Sequence, residues 1–513
     1  MTREHASTIG SIITRSARRT PRRVALTFED RQWTYGALEA ASDRVAAFLL
    51  GAGLVKGDRV AAYGRNSDGY LLLWLGVVKA GLVHVPINYA LKGDELAYIV
   101  RQSGARAVFS DPALARELDA AGIRLEHMGT LRGGSDPAGD ILVRAQATGA
   151  PEAHGVDVDI DDGDIAQLLY TSGTTAAPKG AILTHRALVH HYAATAIALE
   201  LRASERQLHA LPLYHSAQMH VFLMPALMVG SENWLLEAAE VPRVLGAMVK
   251  NAIHSLFAPP TVWIALLAEL EKDPTPARSL AKAYYGASIM PVPVLERLRQ
   301  LLPQIGFYNC FGQSEIGPLA TVLRPEEHDA RPASAGKAIP FVDLRVVDDD
   351  MNDVAPGSVG EVVYRSPQLC TGYWDKPEET ALAFEGGWFH SGDLASIDEE
   401  GYITIVDRKK DVIKTGGILV ASREVEEALF THPAVQEVAV VPLPHPRWIE
   451  AVTAFVVVRR DATVDEAILI EHARGRLAAF KVPKRVIFVD ELPRNASGKI
   501  LKRVLKDRFR ADG

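Results

Sequence analysis

At 513 residues the chain is too long for one compact core, so two or more domains are expected. Its 48% hydrophobic and 23% charged residues are those of a soluble globular protein, and a net charge of −7 excludes a general nucleic-acid binder. The longest apolar run, residues 221–229, contains Pro225 and is too short to cross a bilayer, so no transmembrane segment is expected. Arg15, Arg18, Arg19, Arg22 and Arg23 are broken by Pro21 and read as a solvated helix end. No apolar stretch follows them, so no signal peptide is expected. Cys310 and Cys370 make neither a disulfide framework nor a metal set, which suits a reducing cytoplasm.

Residues 24–110 alternate short apolar runs with stretches of helical period. The runs at 24–28, 59–63, 83–86 and 107–109 predict strands. Leu38, Ala41, Val45, Phe48 and Leu49 recur at helical spacing, and Ser67 is placed to cap a helix that carries Trp74 and ends near Gly81. This alternation predicts α/β architecture, with parallel sheet covered by helices. His84 reads as a packed strand residue. Residues 111–160 carry Gly, Asp and Pro throughout without a period, and read as a loose connection.

An apolar run ending in Tyr170 predicts a buried strand, and Thr-Ser-Gly-Thr-Thr-Ala-Ala-Pro-Lys-Gly follows it. Thr171, Ser172, Thr174 and Thr175 supply hydroxyls, Gly173 and Gly180 tight turns, and Lys179 charge. Such a loop offers O–H and N–H groups to phosphate oxygens while the lysine neutralises them. It lacks the Gly-Lys-Ser/Thr ending of the common phosphate loop, and on this stretch alone an ordinary polar loop is the alternative. Residues 184–200 predict a helix. His190 and His191 on it face different sides and do not chelate together. Residues 208–215 predict a strand running into a loop. Ligands of open α/β sheets bind beyond the carboxyl ends of strands, which makes His215 a candidate pocket residue. His220 reads as structural.

Residues 283–288 predict a strand ending in small residues, against which a flat ring can lie. Residues 307–315 predict a strand and loop ending in a carboxylate. Beside a phosphate loop, Glu315 is a candidate Mg²⁺ ligand. From 342 to 365 the period turns to two, which predicts antiparallel strands in a β-rich subdomain. Asp393, after Ser391-Gly392, is placed to accept hydrogen bonds from two ribose hydroxyls, as acidic residues do in dinucleotide sites. The charge run 407–411 suits a solvated face or a linker. Beyond it, Ser422 is expected to cap a helix, residues 438–441, 452–458 and 486–489 to form strands, and Thr463 with Glu466 to form a capping box. Lys499 stands in a turn before a final amphipathic helix. That suits a cation delivered to a phosphate, and equally a helix-start lysine.

The stretches 171–180, 309–315, 388–393, 407–411 and 495–499, in this order and spacing, resemble one family over essentially the whole chain. This is the adenylate-forming superfamily of acyl-CoA synthetases, peptide-synthetase adenylation domains and luciferases. The phrases Ala-Leu-Pro-Leu-Tyr-His at 210–215, Tyr-Gly-Ala-Ser-Ile-Met at 285–290 and Asp-Arg-Lys-Lys-Asp at 407–411 liken it most to the fatty-acyl-CoA synthetase branch. The resemblance implies a large domain over 1–407 with the ATP and substrate sites, a hinge over 408–412, and a small mobile α+β domain over 413–513 carrying Lys499. It also implies a two-step reaction. An oxyanion, usually a carboxylate, attacks the α-phosphorus of ATP–Mg²⁺ to give an adenylate and pyrophosphate; an acceptor, usually the thiol of coenzyme A, then takes the activated group.

By matching positions, the resemblance gives Thr171, Ser172, Gly173, Thr174, Thr175 and Lys179 to the β- and γ-phosphates. It gives Gly286, Ala287, Ser288, Asn309, Cys310 and Phe311 to adenine, and Asp393 and Arg408 to the ribose. Ser314 would meet the α-phosphate or the substrate oxyanion, Glu315 the metal, and Lys499 both substrate and α-phosphate. Lys410 would be the hinge. Tyr214, His215, Met219, Trp263 and Gly286 would border the substrate, with Gly286 leaving room for a sizeable group. A homodimer is left open.

Ala176 replaces the Gly or Ser usual in the phosphate loop, a mild departure. A larger one follows the double glycine Gly416-Gly417, where the branch has Glu-Asn and this chain has Ile418-Leu419. In the family this loop lines the channel of the second step. Two readings follow: an ordinary acyl-CoA synthetase, or a specialised-metabolism ligase that passes its adenylate to a carrier protein or an amine. The second includes diazotases that activate nitrite for an arylamine. The intact set of Lys179, Glu315, Asp393, Arg408 and Lys499 argues against a nucleotide-binding pseudoenzyme.

Overall fold

The computed structural model describes residues 7–133, 139–148, 156, 158–171, 177–288, 290–415, 418–460, 462–494 and 500–509. Short β-branched runs between residues 24 and 338 build two sheets. In the six-stranded sheet the order is His127–Thr130, Ala105–Ser110, Arg59–Tyr63, Val83–Ile87, Ile165–Thr171, Lys179–Thr184. Its strands are parallel except the last, which returns antiparallel to Ile165–Thr171. The second sheet has nine strands, and its parallel centre runs Gly306–Gly312, Lys282–Gly286, Ser255–Ala258, Arg206–His209, Glu232–Leu235, Val24–Phe28. The predicted α/β architecture is therefore present.

Helices cover these sheets, and their starts are chemically marked. Ser67, Thr34 and Thr184 each accept a hydrogen bond from a backbone N–H three residues on, the first-turn donors that lack helical partners. Asp68–Lys79 is apolar on every side and buried throughout, as expected of a helix enclosed in a core. Residues 217–229 are two segments, π-helical over Ala217–Leu223 and α-helical over Met224–Val229.

A four-stranded antiparallel sheet follows, Asp343–Val347, Val359–Arg365, Phe389–Ile397 and Ile403–Arg408. The small C-terminal unit then centres on the long hairpin Val435–His445 and Ile449–Val458. Arg485–Phe488 runs parallel to the second of these strands, and the short Ile413–Thr415 pairs with the start of that same strand and carries Ile418–Val420 on its outer side. Helices Ser422–Phe430 and Glu466–Arg474 pack on its valine-rich face.

Three sequence expectations are corrected. Residues 111–160 are not a loose connection throughout, since they include the helices Ala115–Ala120 and Ile141–Ala147 and the edge strand His127–Thr130. These elements are too short to show a period. The cap of Glu466–Arg474 is Asp465, whose carboxylate accepts from the Ile468 N–H at 2.8 Å. Glu466 instead accepts from the Val486 N–H at 2.7 Å and ties its helix to a strand. Ser422 does not cap its helix; its N–H and hydroxyl both donate to Asp407, at 2.6 and 2.8 Å.

Candidate active site

Strand Ile165–Thr171 carries Thr171 at its carboxyl end, and strand Gly306–Gly312 leads into a 3₁₀ turn over Ser314–Ile316. The two meet: the Thr171 hydroxyl donates to Glu315 Oε1 at 3.3 Å. Tyr373, which sequence reasoning missed, donates to the same oxygen at 3.2 Å. Lys179 opens the return strand and places its ammonium 5.1 Å from the Tyr373 ring centre. Ser314 lies 3.1 Å, Oγ to Oγ, from Ser216. That residue follows His215, whose Nδ1 accepts from the Ala217 N–H at 3.3 Å. Ser172, Gly173, Thr174, Thr175, Gly416, Gly417 and Lys499 lie outside the described residues.

A second group lines a cleft of about 1320 Å³ between the large domain and the small unit. Gly286, Ala287, Ser288, Asn309, Cys310 and Phe311 form one wall, with Asp393 and Arg408 beside them. The first wall is the paired ends of two neighbouring strands, where Tyr285 faces Asn309 and Gly286 faces Cys310 in register. Asn309 is oriented by donating to the Ser334 carbonyl at 2.8 Å. Ala287 sits at φ +63°, a conformation that turns the chain sharply out of the strand. Asp393 and Arg408 are directly opposed on adjacent antiparallel strands, with Nε to Oδ1 2.8 Å. Lys410 is exposed in the turn just beyond them, where the Asp411 N–H donates to the Arg408 carbonyl at 2.8 Å.

Three residues expected to border the substrate are buried in this structure. Trp263 is wholly buried against Phe307 and donates its indole N–H to the Tyr284 carbonyl at 3.0 Å. Met219 is buried in the core of the first domain. Tyr214 is buried there too, edge-on to Tyr89, and burial pushes its phenol well above the ordinary value. Gly286 does line the cleft, but the space of its missing side chain is not open. A Cβ there would lie 2.2 Å from the Cys310 carbonyl oxygen.

Among the described residues, no three His, Cys, Asp or Glu side chains converge as a metal site. The surroundings of Glu315 nevertheless fit a hard cation. Both groups bonded to its carboxylate are neutral hydroxyls, and Mg²⁺ is usually held by one or two carboxylates together with phosphate oxygens and water.

Thr171 beside a carboxylate, next to a cleft walled by two strand ends and an Asp–Arg pair, is an arrangement able to hold a nucleotide, and the relatives of the chain make it an ATP-dependent ligase that forms AMP. The chain belongs to the AMP-binding enzyme family: the model of that family matches residues 13–374, and the model of its C-terminal domain residues 424–499. Within it the chain is an adenylate-forming enzyme of the acyl-CoA synthetase group. It is 35% identical to a feruloyl-CoA synthase of Amycolatopsis sp, over 98% of this chain and 99% of that one. It is 34% identical to a long-chain-fatty-acid–CoA ligase of Escherichia coli O157:H7, over 93% and 90%. Among solved structures, ATP-bound MatB from Rhodopseudomonas palustris matches with a TM-score of 0.90 at 31% identity, covering 98% of this chain and 99% of that one.

Proposed function

We propose that this ligase activates an aryl or fatty carboxylic acid at the junction of the Glu315 turn and the cleft, and transfers the acyl group to a thiol. One observation carries the reading. The strand Gly306–Gly312 supplies the wall of the cleft through Asn309, Cys310 and Phe311, and the turn after it delivers Ser314 and Glu315 beside Thr171. A nucleotide held by its base in the cleft would thus direct its phosphates toward the loop that follows Thr171.

In this reading Gly286–Ser288 and Asn309–Phe311 hold adenine and Asp393 with Arg408 hold the ribose. Thr171, Ser172, Thr174, Thr175 and Lys179 hold the outer phosphates. Glu315 is the residue that would ligate Mg²⁺, and the ion when bound supplies charge neutralisation for the transferring group. Ser314 and His215 border the reacting oxygens. Such chemistry needs charge neutralisation and positioning more than proton transfer. Lys499 would add a cation in the adenylation transition state, while the small domain, turning at Lys410 between steps, exchanges it for the acceptor loop. Lys499→Ala is expected to slow pyrophosphate exchange by about 10²–10³-fold, as for loss of one oxyanion donor. Exchange near the wild-type rate would remove Lys499 from the reaction.

A second reading of the acceptor is favoured by a specific observation. Ile418 and Leu419 are 46% and 62% exposed on the edge hairpin of the small domain, and Ile449, 71% exposed, pairs with Thr415 on the next strand. Ile449 holds φ +69°, a backbone state that β-branched residues rarely adopt. An apolar edge of this kind suits an arylamine better than the polar pantetheine chain, which coenzyme A and a carrier protein share. Quantifying AMP and pyrophosphate across fatty acids, aryl acids and nitrite with an arylamine, each with and without coenzyme A, separates the two. AMP release that requires coenzyme A and yields a thioester is the outcome of the first reading. Release indifferent to coenzyme A, but requiring an amine, is the outcome of the second.

A further inference from the structure

Tyr373 lies in a segment that sequence patterning passes over, yet it touches both charged groups at the mouth of the phosphate loop. The segment is fixed from both sides. The Cys370 N–H donates to the Glu315 carbonyl at 2.7 Å. Farther along, Ile182 N–H donates to the Gly372 carbonyl at 2.9 Å and Trp374 N–H to the Gly180 carbonyl at 2.8 Å, so that Tyr373 forms an antiparallel bridge with Ala181. From this anchored backbone the phenol hydroxyl reaches Glu315 Oε1 at 3.2 Å, while the ring lies 5.1 Å from the Lys179 ammonium. An ordinary tyrosine hydroxyl is protonated at neutral pH, so the contact is a donation from the phenol to the carboxylate.

The arrangement solves a problem posed by the site. A lysine meant for phosphate and a carboxylate meant for a cation stand near each other and attract. Paired together, each would have to be pulled free before nucleotide bound. A ring face holds an ammonium weakly, and releases it to a phosphate. A hydroxyl on one carboxylate oxygen fixes its direction and leaves the other oxygen for a cation, as partners behind a metal ligand do. We infer that Tyr373 is a positioning residue that holds Glu315 by its hydroxyl and Lys179 by its ring, and keeps the two charges from pairing. This rests on the reading of Glu315 as the cation ligand.

The test uses the full chain, Mn²⁺ as the probe, and electron paramagnetic resonance to read Mn²⁺ binding in the presence of α,β-methylene-ATP. Tyr373→Phe keeps the shape of the ring and removes the hydroxyl. It is expected to weaken Mn²⁺ binding about tenfold, and to leave the affinity for ATP in EDTA at the wild-type value. A ring-fluorinated phenylalanine at the same position drains negative charge from the ring face without changing its shape. It is expected to weaken ATP binding in EDTA about threefold relative to Tyr373→Phe, because an ammonium no longer held by the ring pairs with Glu315 and must be pulled free. Glu315→Gln serves as the reference. If it weakens Mn²⁺ binding and Tyr373→Phe does not, the role of Tyr373 is overturned while Glu315 stands. If Glu315→Gln itself has no effect on Mn²⁺, the reading of Glu315 fails. Equal ATP affinities for the two ring variants would overturn the part assigned to Lys179.

Discussion

Gly286 shows what one residue position can and cannot reveal. From sequence, a glycine at the end of a strand, in a run of small residues, reads as room for a ligand. In three dimensions its missing side chain faces the next strand, where the Cys310 carbonyl oxygen would stand 2.2 Å from any Cβ. The identity of a neighbouring strand is not a local property, so this contact was not legible. Gly286→Ala should therefore lower stability by ~1–3 kcal/mol through overpacking, read as a shifted urea midpoint, before any effect on substrate choice is considered. An unchanged midpoint would mean that the two strands can part without cost. The burial of Trp263 was not legible for the same reason: an aromatic near a strand end reads alike in sequence whatever surrounds it.

At the scale of elements, the strand that leads to the phosphate loop is tied to the π-helix that follows His215 through a buried polar chain. Gln167 Oε1 accepts from His220 Nε2 at 3.0 Å, which leaves His220 Nδ1 to accept from the Tyr192 hydroxyl at 2.8 Å. On its other side the Gln167 amide donates to His84 Nδ1 at 3.1 Å. Tautomers assigned by this network are both neutral. Burial holds His84 and His220 down to about 3, and His185 and His209 to about 4. An unfolded histidine titrates near 6.5. Below that pH the unfolded chain takes up protons that these four sites refuse, so their stabilisation is full above pH 6.5 and is lost as pH falls toward 4. Each contributes up to ~1.4 kcal/mol per pH unit in that window. Urea unfolding at pH 5.5 and pH 7.0 should show a clearly lower midpoint at the acid value; equal midpoints would show that the histidines are accessible to protons. The expectation that His84 and His220 were structural came from their apolar surroundings, and the structure agrees. Their joining through Gln167 spans more than eighty residues of chain and leaves no local trace.

For the whole molecule, the class of fold was legible because strands and helices alternate with clear periods, and because five short stretches stand in one order. What escaped was the junction of large and small domains, since it is made of ordinary polar residues far apart in sequence. Asp407, next to last in the strand Ile403–Arg408, receives both hydrogen bonds of Ser422. The Lys502 ammonium donates to the Ser422 hydroxyl at 2.6 Å and pairs with Glu426 at 2.7 Å. Burial, chiefly, raises the Glu426 carboxyl, with Lys502 opposing that shift. Ser422→Ala removes one hydroxyl that serves two charged neighbours, and should cost ~1–3 kcal/mol of docking. Limited trypsin digestion at Arg408, Lys409 and Lys410 should then proceed faster than in the wild type; an equal rate would show that the contact does not hold the domains.

The two thiols have a consequence of another kind. An acyl adenylate is a strong acylating agent, and an enzyme that holds one risks being consumed by it. Cys310 lies in the wall of the cleft and Cys370 behind Glu315, yet burial pushes both thiols far above their ordinary values. Since only the thiolate is an effective nucleophile, neither competes for the activated group. The same packing that closes the strand ends around the cleft thus protects the catalyst from its own intermediate, and leaves the acyl group to the acceptor that the second step supplies.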